Sequence, residues 1–313
     1  MFKYGTLETF FLGSQYMRIV VRQMSGLGNQ LFQYAAGLYF AEKYHADLQI
    51  AIDPPLQAFS HGLPRPFQLS LFAITVPARP VRPLEKLMQS WNPKLKPAAY
   101  LLRTLLNVDF IEEPQPYRFC PDLPFRNTAD KSYIRGYWQA AQYAEAVATR
   151  LRSDLVLRNA PSGRNQEVLQ EIQNNSDAVS IHVRRGDYLL AKQGSLALPL
   201  SYYHAAVRTI RQKTSSPCFF VFSDDVEFAR NNLPDDIRGV FVDHNSALTA
   251  YEDLRLMSAC SHNIIANSSF SWWAAWLNRN PEKIVISPKF WFRKSESYYP
   301  DLFPHDWTLI DNL

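Results

Sequence analysis

The chain has 313 residues, of which 47% are hydrophobic and 20% are charged, a composition typical of a globular protein with room for two domains. The 33 basic and 29 acidic residues leave a net charge of +4. So mild an excess excludes the concentrated basic face of most nucleic-acid-binding proteins, and it fits an enzyme with one anionic substrate.

Three scattered cysteines, Cys120, Cys218 and Cys260, form no CxxC pair, so we expect neither a disulfide framework nor a zinc site. A reducing compartment, the cytoplasm, is the simplest expectation. No apolar run approaches the roughly 18 residues of a membrane helix, and the N-terminus lacks the features of a signal peptide. Weak peripheral association with the inner face of the cell membrane stays open, although the sequence shows no basic amphipathic helix.

Regular structure is predicted to start after residues 1–16, which we interpret as an extension. A strand at 19–21, a glycine turn at 25–30, a buried helix at 31–41 and a strand at 48–52 form one βαβ unit.

The turn contains Gly26, Gly28, Asn29 and Gln30. The two glycines would let backbone N–H groups approach a ligand, and the following helix N-terminus favours negative charge. The motif lacks the last glycine of the dinucleotide fingerprint GxGxxG, because position 31 is leucine. A tight turn that binds nothing is therefore the alternative.

Prolines are dense from 53 to 124, which predicts a long irregular excursion with short helices at 84–88 and 98–106. A strand at 133–139 and a helix at 144–157 follow. The Pro-Ser-Gly break at 159–163 is the best linker, which divides the chain into domains at 17–160 and 161–313.

The second domain alternates strands and helices, which predicts a parallel, doubly wound sheet. Its central strand runs into a polar cluster of His182, Arg184, Arg185 and Asp187. Ligands of such sheets lie beyond the carboxyl ends of strands, and paired guanidinium groups favour phosphate or carboxylate. One arginine would face the ligand while the other pairs with Asp187; the alternative is a surface ion-pair cluster.

Two later strand ends carry further candidates. Ser268 and Ser269, followed by Phe270, would cap a helix and offer a second anion site, or serve as caps alone. Asp224 would accept hydrogen bonds from a ribose or a guanine edge, or cap the next helix. The tryptophans at 272, 273 and 276 are expected in the core.

Several common motifs are absent from the sequence. There is no DxD triplet, no GxxxxGK[ST] loop, no GxSxG and no HExxH. We therefore expect no metal site, with arginine side chains neutralising a leaving diphosphate.

Three segments, at 26–34, 182–188 and 268–273, resemble the bacterial α-1,2-fucosyltransferases of glycosyltransferase family 11 in residues, order and spacing. This resemblance implies an α/β, GT-B-like fold in which two Rossmann-like domains with parallel sheets face each other across a cleft. The N-terminal domain would serve the acceptor and the C-terminal domain would bind GDP-fucose.

The resemblance also implies inverting transfer from GDP-β-L-fucose, a substrate rather than a cofactor, to the 2-hydroxyl of a terminal galactose, without a metal. Arg184, in preference to Arg185, would bind the β-phosphate, and Asp187 would be the base or brace the loop. The other implied substrate contacts are Gly26, Gly28, Asn29, Gln30, His182, Arg185, Asp224, Ser268, Ser269 and Phe270. An α-1,6 or α-1,3 linkage and a non-catalytic sugar-binding module are the alternatives; the natural acceptor and the oligomeric state stay open.

Overall fold

The computed structural model describes residues 17–53, 66–89, 92–126, 129–190, 196–234, 237, 239–292 and 298–313. The predicted extension at 1–16 lies outside the described residues, as do the side chains of Asp187 and Leu190. None of the described helices combines the length and the apolar character that a membrane crossing requires.

The first half of the chain builds a five-stranded parallel sheet in the order β3-β2-β1-β5-β4. Its central strand β1 is buried because helices cover both faces, and Ile19, Val20 and Val21 are fully inaccessible. The strands are β1 Arg18–Gln23, β2 Asp47–Ile52, β3 Ala78–Pro80, β4 Val108–Glu112 and β5 Lys131–Arg135.

The second half builds a six-stranded parallel sheet in the order β11-β10-β9-β6-β7-β8. Strand β6 lies in its middle and is buried at every position, as its continuous apolar run predicts. The strands are β6 Ala178–Val183, β7 Cys218–Ser223, β8 Gly239–Val242, β9 His262–Ile264, β10 Val285–Pro288 and β11 Thr308–Ile310.

Helices connect these strands, and the two layered parallel sheets confirm the predicted GT-B-like α/β fold class. The domain boundary at 160 stays a prediction. The helices are α1 Leu27–Lys43, α2 Pro83–Met88, α3 Lys96–Leu105, α4 Ala141–Ala146, α5 Ala148–Asp154, α6 Arg164–Gln173, α7 Gly186–Leu190, α8 Leu200–Lys213, α9 Val226–Asn232, α10 Ala250–Ala259 and α11 Ser269–Leu277.

Three predictions about elements were wrong. The proline-rich excursion contains β3 and β4, which pair at the two edges of the first sheet, where a strand proline such as Pro80 is tolerated. The helix predicted at 144–157 is two short helices that meet at Val147. The apolar run at 283–286 predicts the last strand of the chain, but β11 follows β10.

Helix α1 packs directly on α11, and this contact joins the two halves through one apolar core. The ring centroid of Phe32 lies 4.5 Å from that of Trp272 and 5.1 Å from that of Trp273. Both tryptophans are fully buried, which confirms their expected place in the core.

The approach is closest at the N-termini of these two helices. Gly28 lies inside the first turn of α1, not in the preceding turn as predicted. A Cβ atom at Gly28 would lie 2.4 Å from the backbone nitrogen of Phe270 and from the carbonyl carbon of Ser269. Glycine is therefore required here by a neighbouring backbone.

Gly28→Ala should lower the free energy of unfolding by about 1–3 kcal/mol, because the helices must move apart to admit the methyl group. Thermal unfolding followed by circular dichroism measures this change. Gly26→Ala is the matched control, since Gly26 has φ −75° and ψ 170°, which any residue adopts. Equal unfolding midpoints for the two variants would contradict the proposed packing constraint.

Candidate functional site

A cavity of about 900 Å³ lies where the carboxyl ends of the central strands of both sheets meet. This volume is in the range of small-molecule sites, and the position is where parallel α/β sheets bind ligands. Its lining residues are Ser25, Gly26, Leu27, Gly28, Asn29, Pro66, Gln68, His182, Arg184, Gly186, Tyr188, Phe222, Ser223, Asp224, Val226, Asp243, Asn245, Ser246, Ala247, Ala250, Asp253, Ser268, Ser269 and Phe270.

His182 lines this cavity from strand β6 and is only 5% exposed. Burial, reinforced by the charge of Arg184, lowers the pKa of His182 to about 3. Its ring lies edge-on to Phe270, and its Nδ1 atom has no hydrogen-bond partner among the described residues. The cavity wall therefore contains a neutral imidazole with an unused polar atom.

The two arginines after β6 separate, as the alternation of side chains along a strand predicts. Arg184 lines the cavity, where its Nη1 atom lies 2.9 Å from Oδ2 of Asp224. Arg185 lies outside the cavity lining: its Nε atom is 3.3 Å from Oδ2 of Asp225, and its guanidinium stacks 3.3 Å from the centre of the Phe228 ring. Arg184 thus faces the cavity, while Arg185 anchors the loop to α9.

Asp224 braces this loop from the neighbouring strand. Its Oδ1 atom accepts a hydrogen bond of 2.8 Å from the backbone N–H of Arg185, in addition to the Arg184 contact. A Cβ atom at Gly186 would lie 2.8 Å from Oδ2 of Asp224, so the glycine leaves room for the carboxylate. The role of Asp187 as base or brace lies outside the described residues, because its side chain is not described.

The glycine motif contributes in two ways. Gly26, Gly28 and Asn29 line the cavity, whereas Gln30 does not. The Gln30 amide instead donates 2.9 Å hydrogen bonds to the carbonyls of Ser25 and Pro66 and accepts one from the backbone of Gln68. Gln30 therefore holds the segment around Pro66 and Gln68 against the cavity without lining it.

Asn29 connects the two halves of the site. Its Oδ1 atom accepts a 2.8 Å hydrogen bond from the Ser269 hydroxyl and a 2.6 Å bond from Gln139. Ser268 is the N-cap of α11, since its side chain accepts from the backbone N–H of Phe270. Asn29 lies in the first turn of α1, and Ser268 caps α11. The positive ends of two helix dipoles therefore border one cavity.

The sequence pattern did not indicate Asp253, which belongs to the wall formed by residues 243–253. Asp253 lines the cavity there, and burial raises its pKa to about 7 against the opposing effect of a 2.7 Å hydrogen bond from Asn245. Strand β8 pairs with β7, so the loop after β8 had to lie at the same edge as Asp224. The pairing of β8 with β7 could have indicated Asp253, but this pairing is known only once the strand order is known.

Left-handed backbone conformations mark the same edge of the first sheet. Ser25, Tyr117 and Trp138 have φ angles of 69°, 61° and 56°, and they follow β1, β4 and β5 respectively. Two further left-handed residues, His45 and Asn107, only end helices α1 and α3. Such conformations cost about 1–3 kcal/mol each for non-glycine residues and concentrate at functional sites.

The described residues contain no group of three or more His, Cys, Asp or Glu side chains placed to hold a metal ion. The polar groups of the cavity instead include the Arg184–Asp224 ion pair, the buried imidazole of His182 beside Arg184, and the buried carboxyl group of Asp253.

Comparisons with known proteins identify relatives among transferases. The family model of glycosyl transferase family 11 matches residues 84–311. An O-antigen biosynthesis glycosyltransferase of Escherichia coli, WbnK, is 29% identical over 85% of this chain and 92% of that protein. An alpha-1,2-colitosyltransferase of Escherichia coli is 28% identical over 94% and 99% of the two chains. The galactoside alpha-(1,2)-fucosyltransferase 1 of Saimiri boliviensis boliviensis is 29% identical over 41% of this chain and 38% of that protein.

The lowered pKa of His182 predicts a pH-dependent stability. The folded state holds the imidazole neutral, so this stabilisation is complete above pH 6.5 and is lost as the pH falls from 6.5 towards about 3. Between pH 6 and pH 4, the wild-type protein should lose about 1.4 kcal/mol per pH unit relative to His182→Gln.

Urea unfolding across this pH range measures the difference. His204→Gln is the control, because His204 is exposed on α8. Parallel stability curves for the wild type and His182→Gln would show that the His182 imidazole is not held neutral by burial.

Proposed function

The chain belongs to glycosyl transferase family 11, and from this membership we propose that it is an inverting galactoside 2-α-L-fucosyltransferase. It transfers L-fucose from GDP-β-L-fucose to the 2-hydroxyl of a terminal galactose. The names of two relatives support the α-1,2 linkage, and one of them supports the galactoside acceptor. The motifs at 26–34, 182–188 and 268–273 support the fucosyl donor.

The observation that carries the proposal is the convergence of three anion-favouring groups on one cavity. Arg184 comes from the end of β6, and the N-termini of α1 and α11 come from opposite halves of the chain. A guanidinium matches phosphate oxygens geometrically, and helix N-termini offer N–H donors to them. A sugar diphosphate has the charge and length to contact all three.

In the proposed reaction, the galactose 2-hydroxyl attacks the anomeric carbon of fucose in line with the departing GDP, which inverts that carbon. Negative charge grows on the β-phosphate as the glycosidic C–O bond breaks. Arg184, together with the backbone donors at Gly28 and Ser269, stabilises this charge without a metal. The acceptor proton passes to Asp187, to another Asp or Glu side chain, or to the leaving phosphate, the alternatives that the sequence leaves open.

We assign the wall of the cavity that Asp253 lines to the nucleoside. Asp253 lies on α10, next to the loop that follows β8. The N1–H and 2-amino groups of guanine are adjacent donors, and the ionised carboxylate of Asp253 accepts from both. Asn245 orients that carboxylate through its 2.7 Å hydrogen bond.

A colitosyl donor is the second candidate. The colitosyltransferase relative matches 94% of this chain, a wider match than that of the galactoside fucosyltransferase. Both candidates share the linkage and the nucleotide end of the site, and they differ only in the sugar pocket.

A cytoplasmic location is consistent with the cysteines, since Cys120, Cys218 and Cys260 are all free thiols. A nucleotide sugar and a galactose-terminated glycan are then the proposed partners.

Incubation with GDP-fucose or a colitosyl donor, and with lactose as acceptor, tests the function. We expect lactose-dependent release of GDP and a product whose NMR spectrum shows an α-1,2 linkage. Arg184→Ala should lower kcat by about 10²–10³-fold, since it removes one preorganised donor to the growing charge. Arg208→Ala, an exposed change on α8, is the matched control and should behave as wild type.

Lactose-independent GDP release would instead indicate a hydrolase, and binding of GDP-fucose without turnover would indicate a non-catalytic module. Arg184→Ala with wild-type kcat would remove Arg184 from the proposed mechanism.

The nucleoside assignment has its own test. Asp253→Asn should weaken GDP binding about tenfold, because the amide offers one acceptor and an opposed donor to the guanine edge. Wild-type affinity for GDP should rise as the pH rises through about 7, where Asp253 ionises, and this dependence should flatten in Asp253→Asn.

Isothermal titration with GDP and with inosine diphosphate, which lacks the 2-amino group, measures both effects. We expect the preference for GDP to narrow in the variant. An unchanged GDP preference in Asp253→Asn would place the base elsewhere in the cavity.

A further inference from the structure

Exposed apolar side chains concentrate in one segment of the first half. Of the twelve large hydrophobic residues that are exposed in the described part of the chain, six lie between positions 84 and 106. Tyr100, Leu101 and Leu105 are 74%, 58% and 70% exposed. The six residues, which we call the apolar face, are Leu84, Leu95, Tyr100, Leu101, Leu105 and Leu106.

Helix α3 has apolar residues on two sides, and only one of these sides is buried in the fold. Ala99 is buried, and Leu102 packs against a small core between the α2–α3 segment and the first sheet. Leu101 and Leu105 are four residues apart and lie together on an adjacent side of the helix, towards solvent. A folded domain needs no leucines there, so their exposure calls for an external partner.

The exposed charged residues of the segment 82–106 have one sign. Arg82, Lys86, Lys94 and Lys96 are exposed on the same segment. Glu85 is the one acidic residue in the sequence between 82 and 106, and it is buried and paired with Arg79 at 2.5 Å. The exposed surface of this segment is therefore apolar and cationic. The basic amphipathic helix that the sequence analysis did not find is α3.

We propose that the apolar face is a docking surface for a lipid bilayer with anionic headgroups. Leucine and tyrosine side chains enter the boundary between headgroups and acyl chains, while the lysines contact lipid phosphates. A second copy of this chain is the less favourable occupant, because a symmetric contact would bring the same cationic residues together.

Docking here is compatible with an open cavity. None of the described residues between 78 and 113 lines the cavity, and the segment covers one face of the first sheet, not its carboxyl edge. The inference is therefore independent of the proposed reaction, and it is tested without measuring transfer.

Co-sedimentation of the full chain with vesicles tests the proposal. We expect binding to vesicles of phosphatidylcholine with phosphatidylglycerol and much weaker binding to phosphatidylcholine alone. Leu101→Ser/Leu105→Ser should weaken binding to the anionic vesicles about tenfold or more, because two apolar contacts with the bilayer are lost. Lys94→Glu/Lys96→Glu should weaken it comparably, and added salt should weaken the wild type.

Matched controls separate the surface from general effects. Leu313→Ser removes a leucine of similar exposure at the other end of the chain, and Arg208→Glu/Lys213→Glu makes the same change in net charge on α8. Both should bind far more tightly than the corresponding test variants. Circular dichroism should show that all variants keep the wild-type unfolding midpoint, since every altered side chain is exposed.

Three outcomes would overturn the proposal. In the first, the wild type does not bind anionic vesicles. In the second, Leu101→Ser/Leu105→Ser binds them as tightly as the wild type, which would mean that surface charge alone makes the contact. In the third, light scattering would find a wild-type dimer that Leu101→Ser/Leu105→Ser dissociates, without vesicle binding. That result would assign the face to a second copy.

Discussion

The contact between the N-termini of α1 and α11 determines the geometry of the site. The backbones meet at Gly28 and Ser269, where no side chain fits, and the hydrogen bond from Ser269 to Asn29 fixes the register between them. Behind this point the rings of Phe32 and Trp272 extend the contact into the shared core. Close approach aligns two helix dipoles at one cavity, which neither half of the chain achieves alone.

The two arginines after β6 have separate roles. The pleat of the strand sends their side chains in opposite directions, and each meets an aspartate from the end of β7. Asp225 and the Phe228 ring hold Arg185 on α9, so its charge is committed to the loop. Arg184 meets Asp224 inside the cavity wall, where a diphosphate would approach the same guanidinium.

The sequence pattern predicted those elements that depend on neighbouring residues in the chain. The buried run at 178–183 and the helix at 269–277 lie where their residues indicate, because burial and capping are written in adjacent positions. Gly28 and Gln30 show the limit: Gly28 admits the backbone of Ser269 and Gln30 holds Pro66, and neither of these partners is near in the sequence. Asp253 was missed because only the pairing of β7 with β8 brings its loop to the cavity.

Burial shifts the pKa values of His182 and Asp253 in opposite directions, and both shifts favour the uncharged form. Without a ligand, His182 is therefore neutral and Asp253 is only partly ionised near neutral pH, while the Arg184 guanidinium stays cationic and pairs with Asp224. Because a guanine edge would supply donors to Asp253, its arrival would favour ionisation of that carboxylate. Recognition of the base and the release of a proton from the site are thus coupled through one side chain.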